Sequence, residues 1–346
     1  MTVDTVLYTT LRGDDEPVEE LPAAIISYGY RLNRPGSLSF SLALDHPFCT
    51  RSIVGPGVHE AVVSRNKAIV WRGPILTANE TDTKQKREVT FGAEGLYAYT
   101  RRMHVTTTID HTSEGAGPSD LAVIARALID HHQNKGGGDF GIDTSGSETT
   151  RNGERVYYSW ERKNIYEALH QLSNVDDGFD FAIDPASRRF IAYYPQQGTR
   201  QNDLIWEDGI RGFTRTIDAS AQASQMLGVG EGEGEDTLLR TRQDSGAVAQ
   251  YGLTNSVYVN KDVKQGSTLV DHVRRELALT ANPAQTVGVT IGTSHFNPFT
   301  HGVGVEGRLV YPSSYDPVSA FRRLVGFDVV WNSGDEQAVL YLEELI

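Results

Sequence analysis

The chain has 346 residues, enough for two or three domains and a sizeable core. Its hydrophobic share of 39% and charged share of 22% are globular values, and its 34 glycines suggest a turn-rich all-β or α+β protein. A formal net charge of −13 argues against a general phosphate-binding surface, since nucleic-acid affinity comes mostly from clustered Lys and Arg, but is compatible with a lumen that nucleic acid merely traverses.

Cys49 is the single cysteine, which rules out an intrachain disulfide and a cysteine-based zinc site. The first residues, MTVDTVLYTTLRGDD, have neither a basic n-region nor an apolar h-region. No apolar run approaches the ~20 residues that span a bilayer. The expectation is a protein made and folded in a cytoplasm, without stable membrane anchoring, that leaves the cell by some route other than a signal peptide if it leaves at all.

In chain order, strands are predicted at Thr5–Thr10 and Ala23–Tyr30 around an acidic loop, Gly13–Glu20. The stretch from Pro35 to Thr100 then sets the pattern. Leu38, Phe40, Leu42 and Leu44 alternate with small residues, a period of two that marks a strand with one buried face. Ala61–Ser64 and Ala68–Trp71 flank Arg65-Asn66-Lys67, which reads as a hairpin. Gly73-Pro74 breaks or bends the ladder, because Pro has no N–H to donate. A polar loop, Glu80–Lys86, leads into a strand at Arg87–Phe91.

After Arg102 the composition shifts. His104–Asp110 is a Thr-rich strand candidate, and His111–Pro118 is a loop. Ser119 or Asp120 caps a helix, Leu121–Gln133, whose Leu121, Ile124, Ala125, Leu128 and Ile129 share one face. Gly136-Gly137-Gly138 stops it, and residues 139–153 read as a surface loop. A second helix spans Asn164–Asn174, with Ile165, Ala168, Leu169 and Leu172 inward. A hairpin follows, turning at Asp184-Pro185-Ala186-Ser187.

From about Asp203 the chain returns to β structure. Gly228–Asp236 reads as a mobile acidic loop, and Thr268–Thr280 as a third helix with Leu269, Val270, Val273 and Leu277 inward. Strands are predicted at Thr286–Ile291, Gly304–Val310, Val325–Trp331 and Ala338–Leu342. The segments Gly57–Phe91 and Gly302–Leu342 echo each other: strand, turn, an aromatic-Arg pair, strand, polar loop, strand. The fold class expected is α+β, mainly β, with two small antiparallel β-barrel-like domains and an α/β insertion between them. The boundaries are 1–103, 104–202 and 203–346, with possible exchange of strands across them. Three such chains would present six barrel-like units around one axis.

The residues RPGSLSFSL, PGVHEAVVSRNKAIVWRGPI and REVTFGAEGLYAYTRR resemble the N-terminal half of minor tail proteins of long-tailed phages of Gram-positive, especially actinobacterial, hosts. RKNIYEALHQLSNVDDGFDFAIDP, the Gly-rich acidic loop and QYGLTNSV extend the resemblance from about Ala23 to Leu342. It implies a tail-tip or baseplate hub: a structural virion protein at the tail tip, assembled in the host cytoplasm as a homotrimer. Such a hub adapts the sixfold tail tube to threefold tip components and surrounds the channel for tape measure and DNA. The implied partners are distal tail or tail-tube ring proteins, the tape measure protein, and tip fibre or receptor-binding proteins. Many relatives continue into a lysozyme-like or peptidase domain or a fibre. This chain stops at Ile346, straight after its last expected strand, so wall-degrading activity has no expected home.

The residues that suggest chemistry have simpler explanations. His131 and His132 are adjacent, so they point about 100° apart on a helix, and HExxH is absent. In Gly228–Asp236, Glu233 stands where GxGxxG needs its third glycine, and the acids would repel phosphate. Calcium suits those acids better, but the spaced Asp/Asn pattern of a formed site is missing. Asp176, Asp177 and Asp180 offer paired carboxylates to a glycosidase, yet read as turn residues. His295 and His301 flank a turn, Cys49 lacks the context of a nucleophile, and GxSxG is absent. Trp71 and Trp331 lie in alternating strands and read as core or interface; Trp160 and Trp206 are open. No catalytic, cofactor or metal residue is therefore assigned. The rival reading is a carbohydrate-binding or cell-wall-degrading tail-tip module resting on Trp160 and Asp177.

Overall fold

The computed structural model describes residues 4–345 apart from 148, 176, 262, 264–265, 313–316 and 333. The predicted alternation forms the strand Ser37–Ala43, with Leu38, Phe40 and Leu42 buried. It pairs with Arg87–Glu94, so that Phe40 faces Phe91 and the rings stack 5.0 Å apart. The hairpin turns at Asn66 and Lys67, both at positive φ (49° and 68°), as a two-residue loop with right-handed strand twist requires. Gly73-Pro74 does not break the ladder. One strand runs from Ala68 to Asp82, paired first with His59–Arg65 and then with Arg87–Glu94, and the bulge falls between Ile75 and Thr77. Pro74 sits where one ladder hands over to the other, so its missing N–H is tolerated. The expected loop at Glu80–Lys86 shrinks accordingly: strand pairing continues through Asp82, and the turn closes when Lys86 N–H donates to Thr83 Oγ1 at 3.0 Å.

The echo recurs in the second half. Glu306–Tyr311, Val318–Asn332 and Asp335–Glu344 form a meander whose 15-residue middle strand bulges between Leu324 and Gly326. The strand Ala24–Arg31 joins the two meanders, pairing with Ser37–Ala43 on one side and with Val318–Asn332 on the other. Gly29 permits this join, since a Cβ there would lie 2.0 Å from Asp328 Oδ1 and 2.2 Å from the Phe327 carbonyl oxygen. The architecture is α+β and mainly β. A large antiparallel sheet carries both meanders over one continuous core, which includes Tyr28, Phe40, Trp71, Trp206, Phe327 and Leu340. The barrel-like units are curled meanders; no closed barrel forms among the described residues, because Ala24–Arg31 continues the sheet rather than closing the first unit. Within the expected acidic loop Gly13–Glu20, Pro17–Leu21 pairs with Thr5–Leu11 as an edge strand.

The α/β segment has its own core. Helix Leu121–Gln133 starts where Asp120 accepts from Ala122 N–H at 2.9 Å, and helix Ile165–Ser173 where Asn164 accepts from Glu167 N–H at 3.3 Å. Their apolar faces meet Tyr97, Tyr99, Phe179, Phe181 and Phe190. The Thr-rich strand candidate His104–Asp110 pairs only near its ends, through Ile109–His111 and a bridge from His104 to Asn164. The expected surface loop 139–153 adds a short pairing of Asn152–Gly153 with Ser119–Asp120.

A third unit leaves and re-enters the sheet at adjacent strand ends. Ile210–Asp218 pairs with Ala284–Gly292, and Asp218 lies opposite Ala284. Between them, Gln225–Val229 forms the centre of a three-stranded sheet, antiparallel to Leu239–Gln243 and parallel to Asn255–Val259. Helix Gly266–Thr280 covers one face, burying Leu269, Val273 and Leu277 against Met226 and Val263.

Candidate functional site at the junctions between units

Buried charge gathers where the sheet meets the α/β segment. Glu60 is fully buried within the apolar strand His59–Arg65. Its carboxylate accepts from Tyr99 Oη at 2.7 Å, from Gly13 N–H at 3.1 Å and from the Arg188 guanidinium. Arg188 also donates to Asp15 Oδ1 (3.1 Å), to the carbonyl oxygens of Phe140 and Asp14 (3.1 Å each), and Arg72 donates to Asp15 at 2.5 Å. Burial works against ionised Arg188, but the charge and hydrogen bond of Glu60, then Asp15, raise its pKa above the usual value. Burial likewise opposes ionised Asp15, and Arg188 and Arg72 together outweigh it and hold the carboxyl low. Burial first, then the Glu60 charge, pushes the Tyr99 phenol up, so it stays a donor. This group ties the Gly13–Asp15 turn, the first meander and the α/β segment together.

A second joint centres on Asp180. It accepts from Asn33 Nδ2 at 2.8 Å, from Gln197 N–H at 2.7 Å and from the Arg323 guanidinium. Asn33 Oδ1 in turn accepts from Phe181 N–H at 2.8 Å. A third joint links the meanders. Arg31 grips Asp328 with two bonds of 2.9 and 2.8 Å and lies over the Tyr341 ring, whose hydroxyl donates to Asp328 at 2.8 Å. Arg65 pairs with Glu336, which also accepts from Thr293 Oγ1 at 3.0 Å. Beside Arg65, burial pushes the Tyr28 phenol up to about 12. A cavity of about 320 Å³ lies between these joints, walled by Tyr30, Trp71, Tyr97, Phe181 and Phe299, with Arg34 on its lining.

The candidates from the sequence are scattered rather than gathered. His131 Nε2 accepts from Thr106 N–H at 3.0 Å, whereas His132 stacks on Phe140 5.8 Å away. Among the described residues no group of three His, Cys, Asp or Glu side chains is placed to hold a metal ion. Asp177 is a turn residue at φ 55° that accepts from Tyr194 Oη at 2.8 Å, and Asp180 is committed to its joint; Asp176 lies outside the described residues. His301 Nδ1 lies 3.0 Å from Gln201 Oε1, and His295 packs against Gly209. Cys49 is half-buried, and burial pushes its thiol up, away from a reactive thiolate.

Gly228–Asp236 differs from the expected loop. Gly228 and Val229 are strand, and the rest is a tied turn: Gly230 N–H donates to the Leu238 carbonyl, Leu238 N–H to Glu231, and Glu231 N–H to Val263, at 2.8–2.9 Å. Trp71 is buried and donates to the Gly29 carbonyl at 3.1 Å, Trp206 is buried in the sheet core, and Trp331 packs on Tyr28. Trp160 is 71% exposed and stacks on Tyr158 at 4.2 Å.

Sequence reasoning missed Glu60, Arg188, Asp15, Arg31 and Asp328. Glu60 had a signal, a lone charge inside the run HEAVV. Arg188, in a hairpin turn, had none.

No protein-family model and no curated protein matches this sequence. Solved structures do. A tail protein from Neisseria meningitidis MC58 is similar at TM-score 0.66 and 13% identity, with 98% of this chain and 96% of that one covered. The 43 kDa tail protein of prophage MuSo2 from Shewanella oneidensis is similar at TM-score 0.66 and 10% identity, covering 98% of each. An E. coli protein is similar at TM-score 0.51 and 12% identity, over 98% of this chain and 77% of its own. That protein is described as a component of the type VI secretion system with structural similarity to the T4 bacteriophage tail proteins gp27 and gp5. The chain has the fold of these tail proteins along almost its whole length.

Proposed function

We propose that the chain is a structural protein of a phage tail tip, a homotrimeric hub that adapts a sixfold tail tube to threefold tip components. The observation that carries this reading is fold similarity to tail proteins over 98% of the chain, with both meanders present. Three copies would bring six meanders round one axis, which is how a threefold ring can face a sixfold one. Asp177 is a turn residue held by Tyr194 and Asp180 is committed to a joint between units, which supports a non-enzymatic reading. The hub would surround the channel for tape measure and DNA, its acidic balance leaving the wall non-adhesive to nucleic acid. Its partners would be tail-tube or distal tail rings, the tape measure protein, and tip fibre or receptor-binding proteins. The host would be Gram-positive, as the sequence motifs imply, and assembly cytoplasmic. Residues 1–103, 104–202 and 203–346 would be the working divisions, with strands exchanged between the first and last. Electron microscopy of virions labelled with antibody against this chain tests the proposal. Label at the tail tip and threefold density there support it; label elsewhere or none overturns it.

The exposed pair Tyr158 and Trp160 favours one second reading, a carbohydrate-binding tip module, since a free indole face suits a sugar ring. Saccharide binding abolished by Trp160→Ala would support it. No binding by folded protein would exclude it.

A further inference from the structure

The two meanders repeat each other in register, and one contact of the repeat is made only once. Ala68–Asp82 and Val318–Asn332 are both 15-residue strands. Each pairs first with the strand before it and then with the strand after it, and each bulges on the second ladder, between Ile75 and Thr77 or between Leu324 and Gly326. With Thr77 set on Gly326, the later partners coincide. Ala93, Phe91 and Val89 fall on Leu342, Leu340 and Ala338, and the residues opposite them, Leu38, Phe40 and Leu42, fall on Val287, Val289 and Ile291. All of these are buried. One strand further out, Ala24–Arg31 corresponds to Ile210–Asp218, and Tyr28 corresponds to Arg215 because their partners Leu38 and Val287 coincide.

Ala24–Arg31 uses its second edge to join the units, pairing with residues 326–330 just past the bulge. The counterpart of that join is missing. Ile210–Asp218 pairs only with Ala284–Gly292, residues 77–82 pair only with Arg87–Glu94, and among the described residues no strand lies on the other edge of either. Residues 77–82 are exposed throughout. These two open edges are the opposite ends of one run of strands, from Ile210–Asp218 through the join to Ala68–Asp82. One chain therefore offers both halves of a contact that a second copy completes, and a head-to-tail contact of this kind closes into a ring. The side chains agree. In the join, Tyr30, Gly29, Tyr28 and Ser27 lie opposite Phe327, Asp328, Val329 and Val330. Carried to the open edges, that register sets Ile217 opposite Ala78, Thr216 opposite Asn79, Arg215 opposite Glu80 and Thr214 opposite Thr81. Each pair is one that neighbouring strands favour, and where the join has a buried apolar pair the edges carry a cation and an anion. The Glu80 side chain makes no hydrogen bond or ion pair among the described residues. The close approach that needs Gly29 in the join is replaced by Thr216 and Asn79, so this contact keeps ordinary strand spacing.

We propose that Ile210–Asp218 of one copy pairs antiparallel with residues 77–82 of the next, in the register of the internal join. The inference rests on the trimeric reading above and names the strands that make the trimer. Cross-linking of the full chain tests it, with Cys49→Ser removing the only native thiol and circular dichroism as the folding control. Asn79→Cys with Thr216→Cys places two thiols directly opposite across the contact, within reach of a disulfide. Mild oxidation should give a covalent trimer on a non-reducing gel, about fivefold or more above the yield from Asn79→Cys with Thr214→Cys, which is out of register. In native mass spectrometry, Glu80→Arg should raise the concentration at half-assembly about tenfold, and adding Arg215→Glu should return it to within about threefold of wild type, a rescue that a loss of folding would not give. If the wild type is trimeric but neither selective cross-linking nor rescue is seen, the strand pairing is wrong and the trimer stands. If the wild type is monomeric at every concentration, the trimer falls and this contact with it.

Discussion

The large sheet and the small sheet at residues 219–283 are built from the same alternation but end differently. In the large sheet the alternating apolar residues from both meanders meet in one core, and the edges of that core are braced by Glu60–Arg188, Asp180–Arg323 and Arg31–Asp328. In the small sheet a single helix covers one face, the core is Met226, Val263, Leu269, Val273 and Leu277, and the opposite face is open. Alternation therefore specifies which side chains share a face. It does not specify what lies over that face.

The difference can be broken at its strongest point. Glu60→Ala removes the acceptor for Tyr99 and Gly13 and leaves buried Arg188 with only the exposed Asp15 as counter-charge. It should cost about 3–5 kcal/mol in urea unfolding, with Glu60→Met/Arg188→Met recovering part of the loss, because apolar replacement of both partners leaves no orphaned charge. A loss below about 1 kcal/mol would mean the pair braces nothing. Leu269→Ala should cost about 2–5 kcal/mol in the small unit alone. Hydrogen exchange should show amides of Gln225–Val229 losing protection while those of Val289 and Leu340 keep theirs; equal losses would make the two sheets one cooperative unit. Asp180→Asn strips Arg323 of its counter-charge and should lower stability by about 1.5–3 kcal/mol, read from the same urea curves.

A smaller effect concerns pH and the α/β segment. Burial first, then nearby cations, lowers the pKa of His131, His132 and His170 from the ordinary 6.5; the cations are Lys135 for the first two and Arg34 with Arg101 for the third. Neutral imidazoles are favoured in the folded state, so the unfolded chain binds more protons below that value. The contribution is present in full above pH 6.5 and is lost as pH falls through each folded pKa. Thermal melts followed at Tyr97 and Tyr157 should shift down between neutral and mildly acidic pH, and an unchanged midpoint would contradict the burial of these rings. The smallest effect is expected at Trp160→Ala, within about 0.5 kcal/mol of wild type in urea unfolding, because its ring is exposed.

Much of the framework was legible because it is local. The helix at Leu121–Gln133, the turn at Asn66-Lys67 and the strand Ser37–Ala43 follow from caps, backbone preference and period. The echo between the two meanders could be read from the order of strands and loops, although the 15-residue middle strands were longer than their apolar runs. The joints were not legible. Asp180 looked like one of many turn acids, and nothing near Arg188 in sequence announces Glu60, 128 residues away. The strand Pro17–Leu21 was hidden by its acids, because an edge strand can keep charges on its open side.

The sequence by itself determined the class of the protein, the starts of the helices Leu121–Gln133 and Ile165–Ser173, the faces its long strands bury, and the lack of a motif for a nucleophile or a cysteine-zinc site. Those properties depend on neighbours within a few residues. Only the tertiary structure decided that Ala24–Arg31 would join two meanders into one sheet, that three ionic joints would brace the units, and that Leu239, Val257 and Val259 would be left uncovered. Each of those depends on partners tens to hundreds of residues away, where pairing is chosen by shape and by the cost of leaving a buried charge or a backbone N–H unsatisfied.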